Sequence, residues 1–151
     1  GRDLALAIST DGIHYGPDFA HTPFGDGGVG AYVKACERDR ALLSARFSGP
    51  LDSAAVAALF ATFVNPDDPD EYRMTWCGRF SIPFGLLLLS HTATAMGAVM
   101  PFGRPVAYAT SVGWPELPVR DTGLGATAPA NLYHFVSYPA VAYTVPETTS
   151  R

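Results

Sequence analysis

The spacing of apolar positions changes several times along the chain. Residues 3–10 read DLALAIST, an apolar run; Asp11-Gly12 follows, and IHY at 13–15 is largely apolar again. Asp-Gly between two such runs predicts a β-hairpin. A loop rich in Gly and Pro covers residues 16–28. Beyond it Val29, Val33, Cys36, Leu43 and Phe47 recur at helical spacing, while Lys34, Glu37 and Arg38 fall on the other side of the wheel. That pattern predicts an amphipathic helix from Val29 to Phe47, stopped by Ser48-Gly49-Pro50. A second helix is expected from Ser53 to Val64, with Asp52 as its N-cap and Leu51 placed to pack back on its first turn. The Pro-broken acidic stretch NPDDPDE at 65–71 ends it.

From Tyr72 the periodicity becomes two. YRMTWCGRF at 72–80 sets Tyr72, Met74 and Trp76 against Arg73, Thr75 and Cys77, as a strand with one wet face does. PVAYATSV (105–112), NLYHFVSY (131–138) and AVAYTV (140–145) are three further expected strands, rich in Val, Tyr, Phe and Thr. Residues 86–100 are uncharged and mainly apolar, and periodicity does not separate strand from helix in such a run. It is short of the roughly 20 residues that a membrane span needs, and Ser, Thr and His interrupt it. The tripeptide Pro-Phe-Gly occurs at 23–25, 83–85 and 101–103, where it predicts turns. A hairpin, two helices and then mostly strands, without alternation, is an α+β order. The expectation is one domain over 1–151: an N-terminal β-hairpin, two helices, then a mostly antiparallel sheet around a buried apolar segment at 86–100.

Charge changes this picture. The chain has 151 residues, 24 of them charged, and a net charge of −4. Sixteen of the charged side chains lie in residues 1–71; residues 72–146 hold only Arg73, Arg79, Arg104, Glu116, Arg120 and Asp121. A domain of this size leaves much of its chain at the surface. Some of the second half is therefore expected to face something other than bulk water, as charge-depleted, Tyr- and Trp-bearing interface cores do. Self-association or a protein partner is the leading reading, of the coat, shell or decoration kind. A sheet with an uncharged Thr, Ser and Tyr face, or a pocket for a small apolar ligand, are the others. One Lys and no basic block disfavour a nucleic-acid partner. Compartment is not readable from the chain.

Candidate chemistry adds little. GDGGVG at 25–30 fits a dinucleotide loop letter for letter, but no buried strand precedes it and Asp26 would repel a pyrophosphate, so it reads as a loop entering a helix. Cys77 lies in TWCG, and Phe80 stands where a dithiol motif needs its second cysteine. Cys36 and Cys77 are expected as free, buried thiols. His14, His21, Asp18 and Asp26 gather on one loop with no metal-ligand spacing, and neither metal nor cofactor is expected. Whether the protein is an enzyme is left open. If it is a cofactor-free cyclase, lyase or isomerase with an aromatic pocket, His134 and His91 are the candidates for acid–base work, with Arg79 and Arg104 for anion binding.

Overall fold

The computed structural model describes residues 5–113 and 130–145. It is an α+β fold. In chain order the elements are β1 (His14–Tyr15), a turn of 3-10 helix (Pro17–Phe19), α1 (Gly28–Arg46), β2 (Gly49–Pro50), α2 (Ser53–Phe63), β3 (Val64–Asn65), β4 (Asp68–Tyr72), α3 (Ser81–Ala95), β5 (Phe102–Thr110) and β6 (Phe135–Thr144). Four strands form an antiparallel sheet in the order β1-β6-β5-β2, and β3 and β4 pair separately. The Gly/Pro-rich connection at 114–129 lies outside the described residues.

The two helices expected early in the chain are present within a residue or two. Asp52 caps α2, its Oδ1 accepting the Ala55 N–H at 2.7 Å. On α1 the buried stripe is Ala31, Ala35, Cys36, Asp39, Leu42 and Leu43. Val29 and Val33, expected inward, face solvent instead. Glycines open α1: Tyr133 covers Gly27, where a Cβ would sit 2.5 Å from the tyrosine ring, and the Gly28 N–H donates to the Leu132 carbonyl at 2.9 Å.

The hairpin-like pairing at the N-terminal end is made by His14–Tyr15 on β6 and by the Gly16–His21 bridge. Residues 5–13 run ahead of it as a strap whose backbone bonds to the sheet are those of Gly12 and Ile13 with Ser137. Its path is fixed by close packing. A Cβ on Gly85 would lie 2.5 Å from Ile8 Cδ1, so the strap crosses α3 where a helix side chain is missing.

Two expectations are corrected. Residues 73–80 form bends and turns, not a strand; Met74 and Trp76 are still buried, because Arg73 and Met74 hang their N–H groups on the Phe63 carbonyl at the end of α2. The strands expected at 131–138 and 140–145 are one strand, β6, running through Pro139. Ser137 directs both its N–H and its carbonyl toward Ile13 and Gly12. Strand alternation points Pro139 the same way, past the end of β1, so the ladder to β5 loses no donor.

Within the apolar run, residues 86–95 belong to helix α3, and 96–100 follow it as turn and coil. Leu86 and Ala93 on α3 are buried, while Phe84 is 71% exposed and Leu88 49%. The helix ends in a Schellman arrangement: Gly97 takes φ 63°, its N–H donates to Thr94, and Ala98 donates to Ala93. Of the three Pro-Phe-Gly copies only 23–25 is a turn, with Gly25 donating to Thr22. Pro83 sits in the first turn of α3, where its missing N–H costs nothing, and 101–103 leads into β5.

The buried apolar residues fall into two clusters. Leu42, Leu43, Phe47, Leu59, Phe63, Trp76, Ile82 and Leu86 are among the members of the larger one. Ile13, Tyr15, Ala31, Ala35 and Phe135 make the smaller. Between them, on α1, lies Asp39.

Candidate functional site

Asp39 is wholly buried. A carboxylate has no reason to be there unless donors replace its water. Four do, from four separate segments. The Trp76 indole N–H donates to Oδ1 at 3.0 Å. On Oδ2 converge the Ile13 backbone N–H at 3.3 Å, the Tyr108 hydroxyl at 3.2 Å and the Ser137 hydroxyl. Ser137 also accepts from the Ile13 N–H at 2.9 Å. Gly12 makes room for this crossing, since a Cβ there would lie 3.0 Å from Asp39 Oδ2. Burial, and after it the Asp39 charge, raises the Tyr108 hydroxyl well above its ordinary value, so Tyr108 stays a donor. Among the described residues no Lys or Arg is in ion-pair range of Asp39.

One wall of a large cleft is built on this clasp. The cleft has a volume of about 610 Å³ and lies between the strap (Ala5, Leu6, Ile8, Thr10), α3 (Ile82, Leu86, Leu89) and β6 (from Pro139), with Phe47, Trp76 and Tyr143 also in its lining. Its size falls within the roughly 300–1,000 Å³ of small-molecule sites. Among the described residues none of its lining side chains is charged. Its polar side-chain atoms are those of Thr10, Tyr143 and Trp76, and the Trp76 indole N–H is already used by Asp39. Burial pushes the Tyr143 hydroxyl up to about 12, so it stays neutral at ordinary pH. Trp76 stacks on Phe47, ring centroids 5.6 Å apart, which stiffens that side of the cleft.

The four residues singled out for chemistry lie elsewhere. His134, in the turn before β6, has Nε2 3.5 Å from Asp18 Oδ2 and stacks on Phe19. His91 is exposed on α3. The Arg79 guanidinium lies 3.6 Å from the centre of the Tyr72 ring, and Arg104 is exposed on β5 beside Phe102. None of the four lines the cleft, and no contact joins any two of them.

The histidine loop is likewise divided. His14 donates from Nδ1 to the Thr75 carbonyl at 2.8 Å, and its Nε2 lies 3.6 Å from Asp11 Oδ2. Both its nitrogens are thus engaged. His21 is held below its ordinary value by burial and then by Arg38, against the pull of Asp39. Cys36 is buried; Cys77 is exposed, contrary to expectation, and accepts the Asp11 N–H at 3.1 Å. Both thiols are free. Among the described residues no three His, Cys, Asp or Glu side chains are grouped to hold a metal ion, and no helix is long and apolar enough to cross a membrane.

Asp39 is the residue that sequence reasoning passed over. The signal was there: at Ala35, Cys36, Asp39, Leu42 and Leu43 a single charge occupies the core register of an amphipathic helix. Comparison with protein-family models, with curated proteins and with solved structures returns no match.

Two predictions follow from this geometry. Asp39→Asn sets an amide N–H₂ against at least one donor that cannot turn, the Trp76 indole or the Ile13 backbone. It lowers stability in urea unfolding by about 3 kcal/mol, on the scale of buried donors left unsatisfied. Ser137→Ala, which leaves Trp76, Ile13 and Tyr108 in place, costs about 1 kcal/mol. Equal losses in the two variants contradict the assignment.

The second concerns alkaline pH. Unfolded tyrosine ionises near 10, whereas Tyr143 in the fold ionises near 12. The unfolded chain therefore releases its proton first, and stability is whole below pH 10 and declines as pH rises toward 12. Tyr108 acts with the same sign. In Tyr143→Phe the fall in Tm between pH 10 and 12 is shallower, and the tyrosinate absorbance at 295 nm loses a late-titrating component. An unchanged titration curve contradicts the placement of Tyr143.

Proposed function

We propose that the protein is a binding module whose cleft takes an uncharged, mainly apolar ligand. The observation that supports this most is the cleft itself: about 610 Å³ bounded by three separate segments, with no charged side chain among the described residues of its lining. A charged group entering it would lose its hydration without gaining a counter-charge. An apolar group entering it exchanges water contact for Leu86, Leu89, Val141 and the aromatic rings. Binding of this kind needs no catalytic group, in keeping with the positions of His134, His91, Arg79 and Arg104 outside the cleft.

The test is a titration with the uncharged dye Nile red. The expected result is saturable binding at one site, with the protein stabilised by about 2.7 kcal/mol at dye concentrations 100-fold above Kd. Leu89→Glu, which puts a carboxylate on the half-buried rim of the cleft, reduces affinity at least tenfold while the urea midpoint moves little. Unsaturable binding, or binding that Leu89→Glu leaves intact, contradicts the proposal.

A second reading, self-association through the charge-poor half, has its own observation. Of fifteen exposed large apolar side chains among the described residues, all but Leu6, Val29 and Val33 lie at 72–145. Phe80, Phe84 and Leu88 stand four residues apart at the start of α3, one exposed stripe along the helix. On this reading light scattering gives a mass that is a multiple of 16.0 kDa, and Phe84→Asp returns the protein to the single-chain mass. A constant 16.0 kDa over a hundredfold range of concentration removes it.

A further inference from the structure

Resting on the binding-module reading, we infer that the occupant of the cleft is an extended polypeptide segment that adds to the open edge of β6. Three observations lead there. First, among the described residues β6 is paired on only one side for most of its length. β5 covers it from Ser137 to Thr144, whereas β1 covers Phe135 and Val136, and the strap adds bonds only at Ser137. Ser137 fixes the direction of the free groups. Its N–H and carbonyl both point away from β5. By alternation so do the carbonyl of Pro139 and the N–H and carbonyl of Val141 and Tyr143. No backbone hydrogen bond joins the strap to these residues.

Second, the free edge faces the cleft. Pro139, Val141 and Tyr143, together with Val145, line it from one side and the strap lines it from the other. The residues that offer backbone groups are the same ones that offer inward side chains. An added strand would continue the pairing that Ile13 and Gly12 already make with Ser137, running about 17 Å alongside residues 139–143 at about 3.3 Å per residue.

Third, the charge balance matches one kind of segment. The described lining is uncharged and Tyr143 remains neutral to about pH 12. Every second side chain of the guest points inward with Val141 and Tyr143, toward Leu86, Leu89, Phe47 and Trp76. Those positions take uncharged apolar residues, and the intervening ones are free to be polar. Main-chain hydrogen bonds supply the affinity and the alternate pockets supply the selection. A compact apolar molecule would fill the same volume but leave the Val141 and Tyr143 N–H groups unused.

The test is an array of heptapeptides carrying Val, Ile, Leu or Phe at odd positions and Ser or Thr at even ones, read by fluorescence anisotropy. The tightest binder is then N-methylated at one backbone nitrogen at a time. The expected result is a period of two. Methylation on the edge facing β6 weakens binding about tenfold, as loss of a buried hydrogen bond does. Methylation on the other edge leaves it within twofold. The bound peptide also slows hydrogen exchange at the Val141 and Tyr143 amides. Methylation that acts equally at every position, or an array without a binder below 1 mM, overturns the inference. Nile red separates the two claims: if the dye saturates the cleft and the peptides fail, the binding module stands without the strand; if both fail, neither stands.

Discussion

A single buried carboxylate joins the parts of this fold. Asp39 lies on α1 between Ala35, which belongs to one apolar cluster, and Leu42, which belongs to the other. Its donors come from the strap, from the irregular segment that carries Trp76, from β5 and from β6. Desolvating a carboxylate costs several kcal/mol, and charge-assisted hydrogen bonds return about 1.5–3 kcal/mol each. The four donors together offset that cost. What the arrangement supplies is uniqueness, because any register shift of β6 or rotation of α1 strands the charge without its donors.

The same constraint shapes the cleft. Trp76 has its indole N–H held by Asp39 and its ring held by Phe47 and Phe63, so its position is set from two directions. Ser137 is held by the same carboxylate, which fixes where β6 leaves the cover of β1 and its edge becomes free. The strap, tied by Ile13 and laid across α3 at Gly85, closes the opposite side. Cleft and clasp are thus adjacent consequences of one buried group, and loosening the clasp would move two walls at once.

The sequence foretold the elements whose signals are local. Helix α2 was bounded by its cap at Asp52 and by Asn65-Pro66, and α1 by a glycine loop and Gly49-Pro50. The α+β order followed from where strand-like periodicity begins. Signals failed where tertiary contact replaced local preference. Residues 72–80 alternate as a strand would, yet Met74 and Trp76 are buried by the end of α2 and the clasp instead of by a pleated partner. Pro139 divides two strand-like runs, and they make one strand because its missing N–H falls on the side away from β5. The Pro-Phe-Gly brackets looked like turns, but a proline in the first turn of a helix has the same local freedom. An apolar pocket was one reading of the charge-poor half, but the place of the cleft was not legible, since its walls are contributed by residues 5–10, 82–89 and 139–145 and by isolated aromatics between them. Asp39 alone among the central residues was readable, as a charge in a core register.

The most direct measurement is the exchange of the Trp76 indole N–H with solvent, followed by NMR as hydrogen is replaced by deuterium. If the clasp holds the fold together, this proton exchanges only through global unfolding. Its protection then falls in step with the urea stability of the whole chain, as expected for a hydrogen bond at the core of the cooperative unit. An indole proton that exchanges within the first minutes, while core amides of α1 and β6 remain protected, contradicts the account.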